Sequence, residues 1–350
     1  MDQETIRSLT TRFQSMMATR NRTRAADSAI TSSSPDAPQA ASFRRHPSYN
    51  ELILLSHHVD RYDEPGLLDR ALDAMDLAKL YEEADHSQES DQSLGYQDHL
   101  IKALLKWFKE EFFQWINAPS CSSCGSETEG LGSCAPDSSE QQNGAGRVEL
   151  YRCKTNQTHV ERFPRYDSPG KLLTWRKGRC GEFANCFTLL CIALGSRARW
   201  VYNYEDHVWT EVYSTKLQRW VHCDACENAW DSPLIYAVGW GKKMSHCVAF
   251  SSSGAQDVSR RYIREASQRL ASKVPGEVMD TAIRDINQRL RSLVTQEERS
   301  LYIKEDTAEL AELEGLMHRP TATVNTSETH ARESGSTSWK EERGENGPTK

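Results

Sequence analysis

Three side chains that together can hydrolyse an amide bond occur in order in the middle of the chain: Cys180, His207 and Asp224. A thiolate can attack a carbonyl carbon, an imidazole can transfer the protons, and a carboxylate can orient the imidazole and support its charged form. The chain contains ten cysteines and eleven histidines, so such a set also arises without a catalytic role. The chemistry therefore depends on the elements that carry these residues.

The sequence predicts that Cys180 begins a helix of about 14 residues. Gly195 can end that helix in a left-handed conformation. At a helix N-terminus the unpaired N–H groups and the positive end of the dipole favour a thiolate over a thiol. The apolar residues that indicate the helix repeat at Phe183, Phe187, Leu190 and Leu194.

The other two residues lie on predicted strands. β-branched and aromatic residues indicate strands at 200–202, 208–213 and 219–224. His207 begins the second strand, and Asp224 ends the third, which we expect to pair antiparallel with the second. A nucleophile, a base and an orienting carboxylate are thus predicted on a helix end and two neighbouring strands.

Cysteines before this region have the spacing of metal ligands. Cys121 and Cys124 form a C-x-x-C pair, which is half of a zinc ribbon. Cys153 begins a second pair, but Asn156 stands where its second cysteine is expected, and asparagine is not a usual zinc ligand. We predict a structural zinc site with three thiolates. The fourth position is left open between Cys134, His159 and a water molecule, and a metal-free subdomain is the further alternative.

Length, charge and composition limit the class of protein. A chain of 350 residues is long enough for two domains, and its formal net charge of −7 gives no electrostatic reason to bind nucleic acid. It has no apolar run of 18 residues, which excludes a transmembrane segment, and no apolar stretch of a secretory signal near the N-terminus. We therefore expect a protein of the cytosol or the nucleus, with its cysteines as ligands, nucleophile and buried thiols rather than disulfides.

An amphipathic helix is predicted from about Gln97 to Asn117, ended by the following Ala-Pro pair. The overall pattern predicts an α+β protein in seven parts: an N-terminal helix at 1–18, a disordered linker at 19–48, a helical region at 49–118, a Cys-rich zinc-type subdomain at 119–166, a catalytic core at 167–252, a C-terminal helical region at 253–318 and a disordered tail at 319–350.

Several local sequences point to one family. From about Leu100 to about Leu316, the chain closely resembles the core of peptide:N-glycanases, which are cytosolic deglycosylating members of the transglutaminase-like superfamily. It is most similar to the short fungal-type form, without the N-terminal peptide-binding domain of longer members. The segments that carry the resemblance are GRCGEFANCF, DHVWTEVY, RWVHCDAC, GWGKKMSHCVAFS and FPRY, and the start of the C-terminal region at Asp257-Val258.

The resemblance implies a transglutaminase-like (papain-like) cysteine hydrolase core, with the nucleophile at a helix N-terminus packed on an antiparallel sheet, a zinc-ribbon-like insert and flanking helices. It implies that Cys180 attacks the side-chain amide of a glycosylated asparagine, that His207 transfers protons and that Asp224 orients His207. By motif match, the residues that guide substrate and help to stabilise the oxyanion are Trp115, Trp209 and Trp220, with Glu211 near the base. Core packing is the alternative role for these four.

The implied function is release of N-glycans from misfolded glycoproteins in quality control and proteasomal degradation. Because the family has a complete second cysteine pair, Asn156 suggests lowered stability or activity. The alternative is a catalytically impaired transglutaminase-like scaffold that binds glycoprotein or proteasome-shuttle partners. A protein-crosslinking transglutaminase shares the triad, but the zinc-type cysteine pair argues against it by analogy.

The resemblance also implies a partner, because short members bind a ubiquitin-like proteasome-shuttle protein through their terminal helices. The candidate segments are residues 6–17 and the helices between 258 and 317. The alternative is that these helices only complete the fold.

Overall fold

The structure is a computed structural model that describes residues 41–316, 328–345 and 347. The predicted N-terminal helix at 1–18 and most of the predicted linker lie outside the described residues. The described chain is already ordered before residue 49, because Arg44 forms an ion pair of 2.7 Å with Asp285.

Helices make up the first part of the described chain: α1 (Pro47–Ser56), α2 (Leu67–Asp73), α3 (Leu77–Ser90) and α4 (Tyr96–Trp107), with a 3₁₀ turn at His58–Asp63. A π-helical turn, Phe108–Phe112, continues α4. The helical stretch thus ends before Asn117, where the sequence predicted its end. The backbone of Gln114–Trp115 instead forms a short strand, β1, which pairs in parallel with residues 177–178 directly before Cys180.

The Cys-rich subdomain contains a three-stranded antiparallel sheet in the order β2-β3-β4. Its elements are β2 (Thr128–Cys134), α5 (Ser138–Gln142), β3 (Ala145–Cys153) and β4 (Val160–Tyr166). The turn that carries Cys121 and Cys124 lies beside the end of β3, since Cys124 Sγ is 3.5 Å from the Sγ of Cys153, the last residue of that strand.

The catalytic region is a six-stranded antiparallel sheet in the order β11-β10-β6-β7-β8-β9. The three strands predicted after Cys180 are present as β6, β7 and β8, and β7 pairs antiparallel with β8 as predicted. The elements in chain order are α6 (Pro169–Trp175), β5 (Lys177–Gly178), α7 (Cys180–Ala193), β6 (Ala198–Asn203), β7 (His207–Ser214), β8 (Arg219–Asp224), β9 (Ala229–Trp230), a π-helical turn (Ile235–Gly239), β10 (Cys247–Ser251) and β11 (Gly254–Asp257).

Helix α7 lies at the centre of the hydrophobic core. It contacts β6 and β7 as well as α2 and α6, so nearly all of its side chains are buried. A helix surrounded in this way must be apolar on every side, which explains residues such as Leu189, Leu190 and Cys191 in succession. After its last residue Gly195 adopts φ +82°, the predicted left-handed stop.

The C-terminal part contains α8 (Ser259–Tyr262), a 3₁₀ turn (Ala266–Gln268), α9 (Gly276–Arg291), α10 (Gln296–Leu316) and α11 (Thr337–Glu342). The last of these lies in the region that the sequence predicted as a disordered tail. Residues 328–345 instead pack on the catalytic core, with Arg332 and Glu345 buried. Among the described helices, none is both long and apolar enough to cross a membrane.

Candidate active site

The N-terminus of α7 is shaped so that Cys180 is its first residue. Arg179 precedes the helix with extended backbone, and its N–H donates to the Glu182 carboxylate over 3.0 Å. The chain must pass very close to Glu182, since a Cβ at Gly178 would lie 2.5 Å from the Cβ of that residue. Glycine at 178 therefore permits the capping that orients the nucleophile.

Ion pairs connect this helix end to the Cys-rich subdomain. Glu149 on β3 accepts hydrogen bonds from Arg179 at 2.7 Å and 3.1 Å and from Arg165 at 2.8 Å. Arg165 also donates to Glu182 on α7. Burial raises the pKa of Glu149, but the bonds from Arg179, Tyr151 and Arg165 outweigh it and lower the pKa to about 2. The subdomain therefore supports the residue next to the nucleophile.

The imidazole of His207 is held by a buried carboxylate. Its Nε2 lies 2.9 Å from Asp224 Oδ2, and each residue is 1% exposed. The register pairs Thr210 with Cys223, which places Asp224 opposite Trp209, two residues from His207 and on the same face of the sheet. The strand pairing thus brings together a histidine and an aspartate that are distant in sequence.

The other ring nitrogen, Nδ1 of His207, has no other partner among the described residues, which leaves it for Cys180, with which His207 interacts. Burial raises the pKa of the Cys180 thiol, but the interaction with His207 outweighs burial and lowers the pKa below its ordinary value. Burial lowers the pKa of His207, but Asp224 and Cys180 outweigh it and raise that pKa. Both shifts favour a thiolate beside an imidazolium.

A second buried histidine fixes Asp224. Tyr236 donates its hydroxyl to Asp224 Oδ2 over 2.9 Å, and His222 Nε2 lies 2.7 Å from that hydroxyl. The Nδ1 of His222 accepts from the N–H of Ser232 at 3.4 Å, so Nε2 carries the proton and donates to Tyr236. Burial lowers the pKa of His222 to about 4, which keeps this ring neutral near neutral pH.

A cavity of about 470 Å³ opens onto the catalytic residues. This size lies within the range of small-ligand sites. Its lining combines the nucleophile and base with charged and aromatic residues: Cys180, His207, Asp206, Arg165, Tyr166 and Tyr202.

Two family models match the chain: the transglutaminase-like superfamily over residues 133–225, and the Rad4 transglutaminase-like domain over residues 201–314. The crystal structure of Rad4-Rad23 crosslinked to an undamaged DNA has a TM-score of 0.48 at 12% identity, and the match covers 84% of this chain and 62% of that chain. A peptide-N(4)-(N-acetyl-beta-glucosaminyl)asparagine amidase from Yarrowia lipolytica is 41% identical over 82% of this chain and 81% of its own length. The chain belongs to the peptide:N-glycanase family. The protein of the same name from Saccharomyces cerevisiae is 39% identical over 83% of both chains.

The transglutaminase-like α+β fold predicted for a peptide:N-glycanase is confirmed.

The three tryptophans that the resemblance assigned to the active site differ in their distance from the catalytic residues. Trp209 lies beside the base, with its ring centroid 5.7 Å from that of His207, and Trp115 packs 5.7 Å from Phe183 of α7. Trp220 instead contacts Tyr213 on the neighbouring strand and the side chains of Arg197 and Arg199.

Glu211 also lies away from the base. Its buried carboxylate bonds to Arg199, Arg261 and Tyr262. Burial raises the pKa of Glu211, but the two arginines outweigh it and lower the pKa to about 2. The described structure places Glu211 in an ion network, which is a packing role for a residue that the resemblance set near the base.

Sequence reasoning missed two aromatic residues of this peptide:N-glycanase site. The ring centroids of Tyr236 and Trp240 each lie 5.0 Å from that of His207. Both occur within or just before the segment GWGKKMSHCVAFS, which supported the resemblance. This segment therefore marked the right part of the chain. The π-helical turn that places both rings beside His207, however, has no local sequence pattern that predicts it.

The cysteine cluster retains the arrangement of a metal site. The ligand atoms of Cys121, Cys124 and Cys153 lie within 4.8 Å of one another, and those of Cys121, His159 and Glu161 do so as well. The N–H of Asn156 donates to Cys153 Sγ at 3.2 Å. The three cysteines can therefore hold a metal ion. Among the candidates for the fourth position, His159 shares the second group with Cys121 and Glu161, whereas Cys134 lies against Arg162.

The pKa of the Cys124 thiol lies below its ordinary value. Hydrogen bonds from the side chain and the backbone of Ser126 lower its pKa to about 7. A metal binds the thiolate form of cysteine, so this shift favours loading of the site near neutral pH.

Proposed function

We propose that this protein hydrolyses the amide bond that links an N-glycan to asparagine, converting the asparagine to aspartate and releasing the glycan. One observation carries the proposal: Cys180 begins a buried helix beside His207, whose far nitrogen is bound by the buried Asp224. Two relatives that match this chain over about four-fifths of its length carry the name of this amidase. The proposed setting is glycoprotein quality control that leads to proteasomal degradation.

In the first step the Cys180 thiolate attacks the side-chain carbonyl carbon, and a C–S bond forms. The C–N bond then breaks while the His207 imidazolium donates its proton to the departing nitrogen, so the glycan leaves as a glycosylamine. In the second step neutral His207 takes a proton from water, and the hydroxyl attacks the thioester. The C–S bond breaks, which returns the thiolate and leaves an aspartate side chain.

Deglycosylation of a denatured N-glycoprotein tests this function. The wild-type protein should release the glycan, and Cys180→Ala should lose essentially all activity. Cys134→Ser is the matched control, because it removes a thiol outside the proposed catalytic and metal sites and should retain activity. If neither the wild-type protein nor the control cleaves, the scaffold alternative is favoured over the enzyme.

We also propose that the Cys-rich subdomain holds a structural zinc ion, with Cys121, Cys124 and Cys153 as thiolate ligands and His159 at the fourth position. The grouping of His159 with Cys121 supports this choice. Zinc would stabilise the sheet that carries Glu149, and Glu149 supports Arg179 beside the nucleophile. Asn156 would then not leave the site incomplete.

We propose misfolded N-glycoproteins as substrates and a ubiquitin-like proteasome-shuttle protein as partner, in the cytosol or nucleus. Exposed Leu301, Ile303 and Leu310 on α10 support a partner surface there. A pull-down of the shuttle protein with and without residues 1–18 tests the contribution of the N-terminal segment.

A further inference from the structure

The C-terminal segment (residues 328–345) lies in a position that the core is shaped to accept. A Cβ at Gly239 would lie 2.5 Å from the carbonyl oxygen of His330, so glycine at 239 permits this contact. The carboxylate of Glu227 accepts the backbone N–H groups of Glu333 at 2.8 Å and Ser334 at 3.1 Å. The segment is therefore an integral part of the described structure.

This segment places an arginine against the aromatic wall of the active site. Arg332 is 1% exposed, and its guanidinium carbon lies 4.5 Å from the ring centroid of Trp240 and 5.4 Å from that of Trp115. Trp240 packs against His207, and Trp115 packs against Phe183 on the helix of the nucleophile. Arg332 thus lies between one aromatic ring that contacts His207 and another that contacts the helix of the nucleophile.

The hydrogen bonds of Arg332 leave one donor group unused. Nη1 donates to Glu345 Oε2, and Nε donates to Ser334 Oγ at 3.0 Å. Nη2 is buried and has no acceptor among the described residues. A buried donor without an acceptor costs free energy, and the aromatic rings on which the guanidinium lies provide its remaining contacts.

Glu345 does not cancel the charge of Arg332 alone. Its carboxylate is shared with Lys242 at 2.6 Å and Arg343 at 3.3 Å. Three cations therefore surround one buried anion. Even with Arg343 also paired to Asp206, this cluster keeps a positive charge beside the catalytic centre.

We propose that Arg332 is a positioning residue of the active site, whose fixed positive charge between Trp115 and Trp240 holds Cys180 in its thiolate form. This inference rests on the proposed cysteine-dependent function. Burial raises the pKa of Cys180, and the charge of Arg332 lowers it together with the larger effect of His207. The groups that act on the charge of Cys180 include His207 at the start of β7, Asp206 directly before it, Cys226 after β8, and Arg332. Arg165 and Glu182 line the same cavity as Cys180.

The rate of iodoacetamide alkylation of Cys180 against pH, followed in the full-length protein by site-resolved mass spectrometry, tests this role without using glycan release. In Arg332→Gln the alkylation midpoint should move up by about 1 pH unit, which is about a tenfold lower rate at a fixed pH below the midpoint. In Arg332→Lys, which keeps the charge, the midpoint should stay close to that of the wild type. Because Arg332 also lowers the pKa of His207, the alkaline limb of a pH–activity profile should also move up in Arg332→Gln.

Lys340→Gln is the matched control. Lys340 belongs to the same segment and donates to the carbonyl oxygen of Arg332 at 2.9 Å, so the variant removes one positive charge and one anchor but keeps the guanidinium. Its alkylation midpoint should remain that of the wild type. An equal shift in Lys340→Gln and Arg332→Gln, or no shift in Arg332→Gln when thermal unfolding shows it folded, would overturn the proposal. If Arg332→Gln unfolds, the folded variant Arg332→Lys decides the test. A lowered alkylation rate of Cys180 in Arg332→Lys overturns the proposal, and an unchanged alkylation midpoint supports it.

Discussion

Asp224 acts on His207 directly and on Cys180 through His207. Its carboxylate is buried, accepts the N–H of Cys226 at 2.8 Å and the hydroxyl of Tyr236 at 2.9 Å, and still contacts His207. Burial alone would raise the pKa of Asp224. The contacts with His207 and Tyr236 outweigh burial, so the pKa lies well below its usual range and the carboxylate stays charged. At the residue scale, the protonation state of the pair depends on this charge as well as on that of Arg332.

We therefore expect Asp224→Asn to narrow the pH range of activity. Removal of the carboxylate lowers the pKa of His207, so the imidazolium is lost at a lower pH and the alkaline limb moves down. A less stable imidazolium also supports the thiolate less, so the pKa of Cys180 rises and the acid limb moves up. Turnover at the optimum should fall by about 10²–10⁴-fold. The pH profiles of kcat and kcat/KM together measure all three effects.

Asp231→Asn is the control for that variant. Asp231 pairs with Arg219 at 2.6 Å and is partly exposed, and it has no contact with His207 among the described residues. Its profile should match that of the wild type. An alkaline limb that stays at the wild-type pH in Asp224→Asn would contradict the role given to Asp224.

At the scale of elements, the Cys-rich subdomain has few interactions that stabilise its fold. Its sheet has only three strands, of which β2 is mostly exposed, so it buries little apolar surface. A metal ion can supply the missing stability in such a small unit. The same sheet carries Glu149, so a change in the subdomain reaches Arg179 and the start of α7.

The proposed zinc ligands make a graded prediction. The purified wild-type protein should contain about one zinc per chain, Cys153→Ser should contain little, and His159→Ala should bind zinc more weakly, with metal lost first at low concentrations of a chelator. Cys134→Ser should retain zinc like the wild type. Metal analysis during chelator titration measures this order, and equal zinc retention in His159→Ala and the wild type would exclude His159 as a ligand.

The elements around the nucleophile could be predicted because their patterns are local. The period of apolar residues predicted α7, and the β-branched and aromatic runs predicted β6 to β8. The strand β1 could not be predicted, because two residues carry no period and the pairing partner, Lys177–Gly178, is far away in sequence. The same run therefore indicated a longer helix, ending near Asn117.

At the scale of the whole molecule, a buried ion network connects the sheet to the C-terminal helices. Arg199 of β6 pairs with Glu309 of α10 at 2.9 Å, and Arg261 of α8 pairs with Glu309 and with Glu211 of β7 at the same distance. Two positive and two negative charges are thus balanced in the interior. Such a network stabilises the fold only while every charge has its partner.

Glu309→Gln should consequently destabilise the protein strongly. It leaves the two arginines with one fully buried carboxylate, and breaking a buried pair costs about 3–5 kcal/mol. Glu312→Gln is the control, because Glu312 also pairs with Arg261 but is partly exposed and should cost less than about 1 kcal/mol. Denaturant unfolding of both variants measures the two free energies. Equal losses would contradict the distinction between the buried and the partly exposed pair.

The C-terminal segment could not be predicted from the sequence for a related reason. Its buried groups include Arg332 and Glu345, which local patterns assign to the surface, and Trp339 is its one large apolar side chain. The order of the segment comes from partners in the catalytic core, such as Lys242 and Glu227. A polar composition therefore indicated disorder where charge pairing produces structure.

The position of Arg332 also has a consequence for synthesis. The ribosome adds Arg332 more than a hundred residues after Asp224, so the nascent chain carries all three catalytic residues before it carries that guanidinium. During this interval Cys180 lacks one of the charges that favour its thiolate, and a neutral thiol is the form that peroxides oxidise slowly. The nucleophile would gain its full reactivity only when the C-terminal segment docks, so late docking would protect the new enzyme from damage before it is complete.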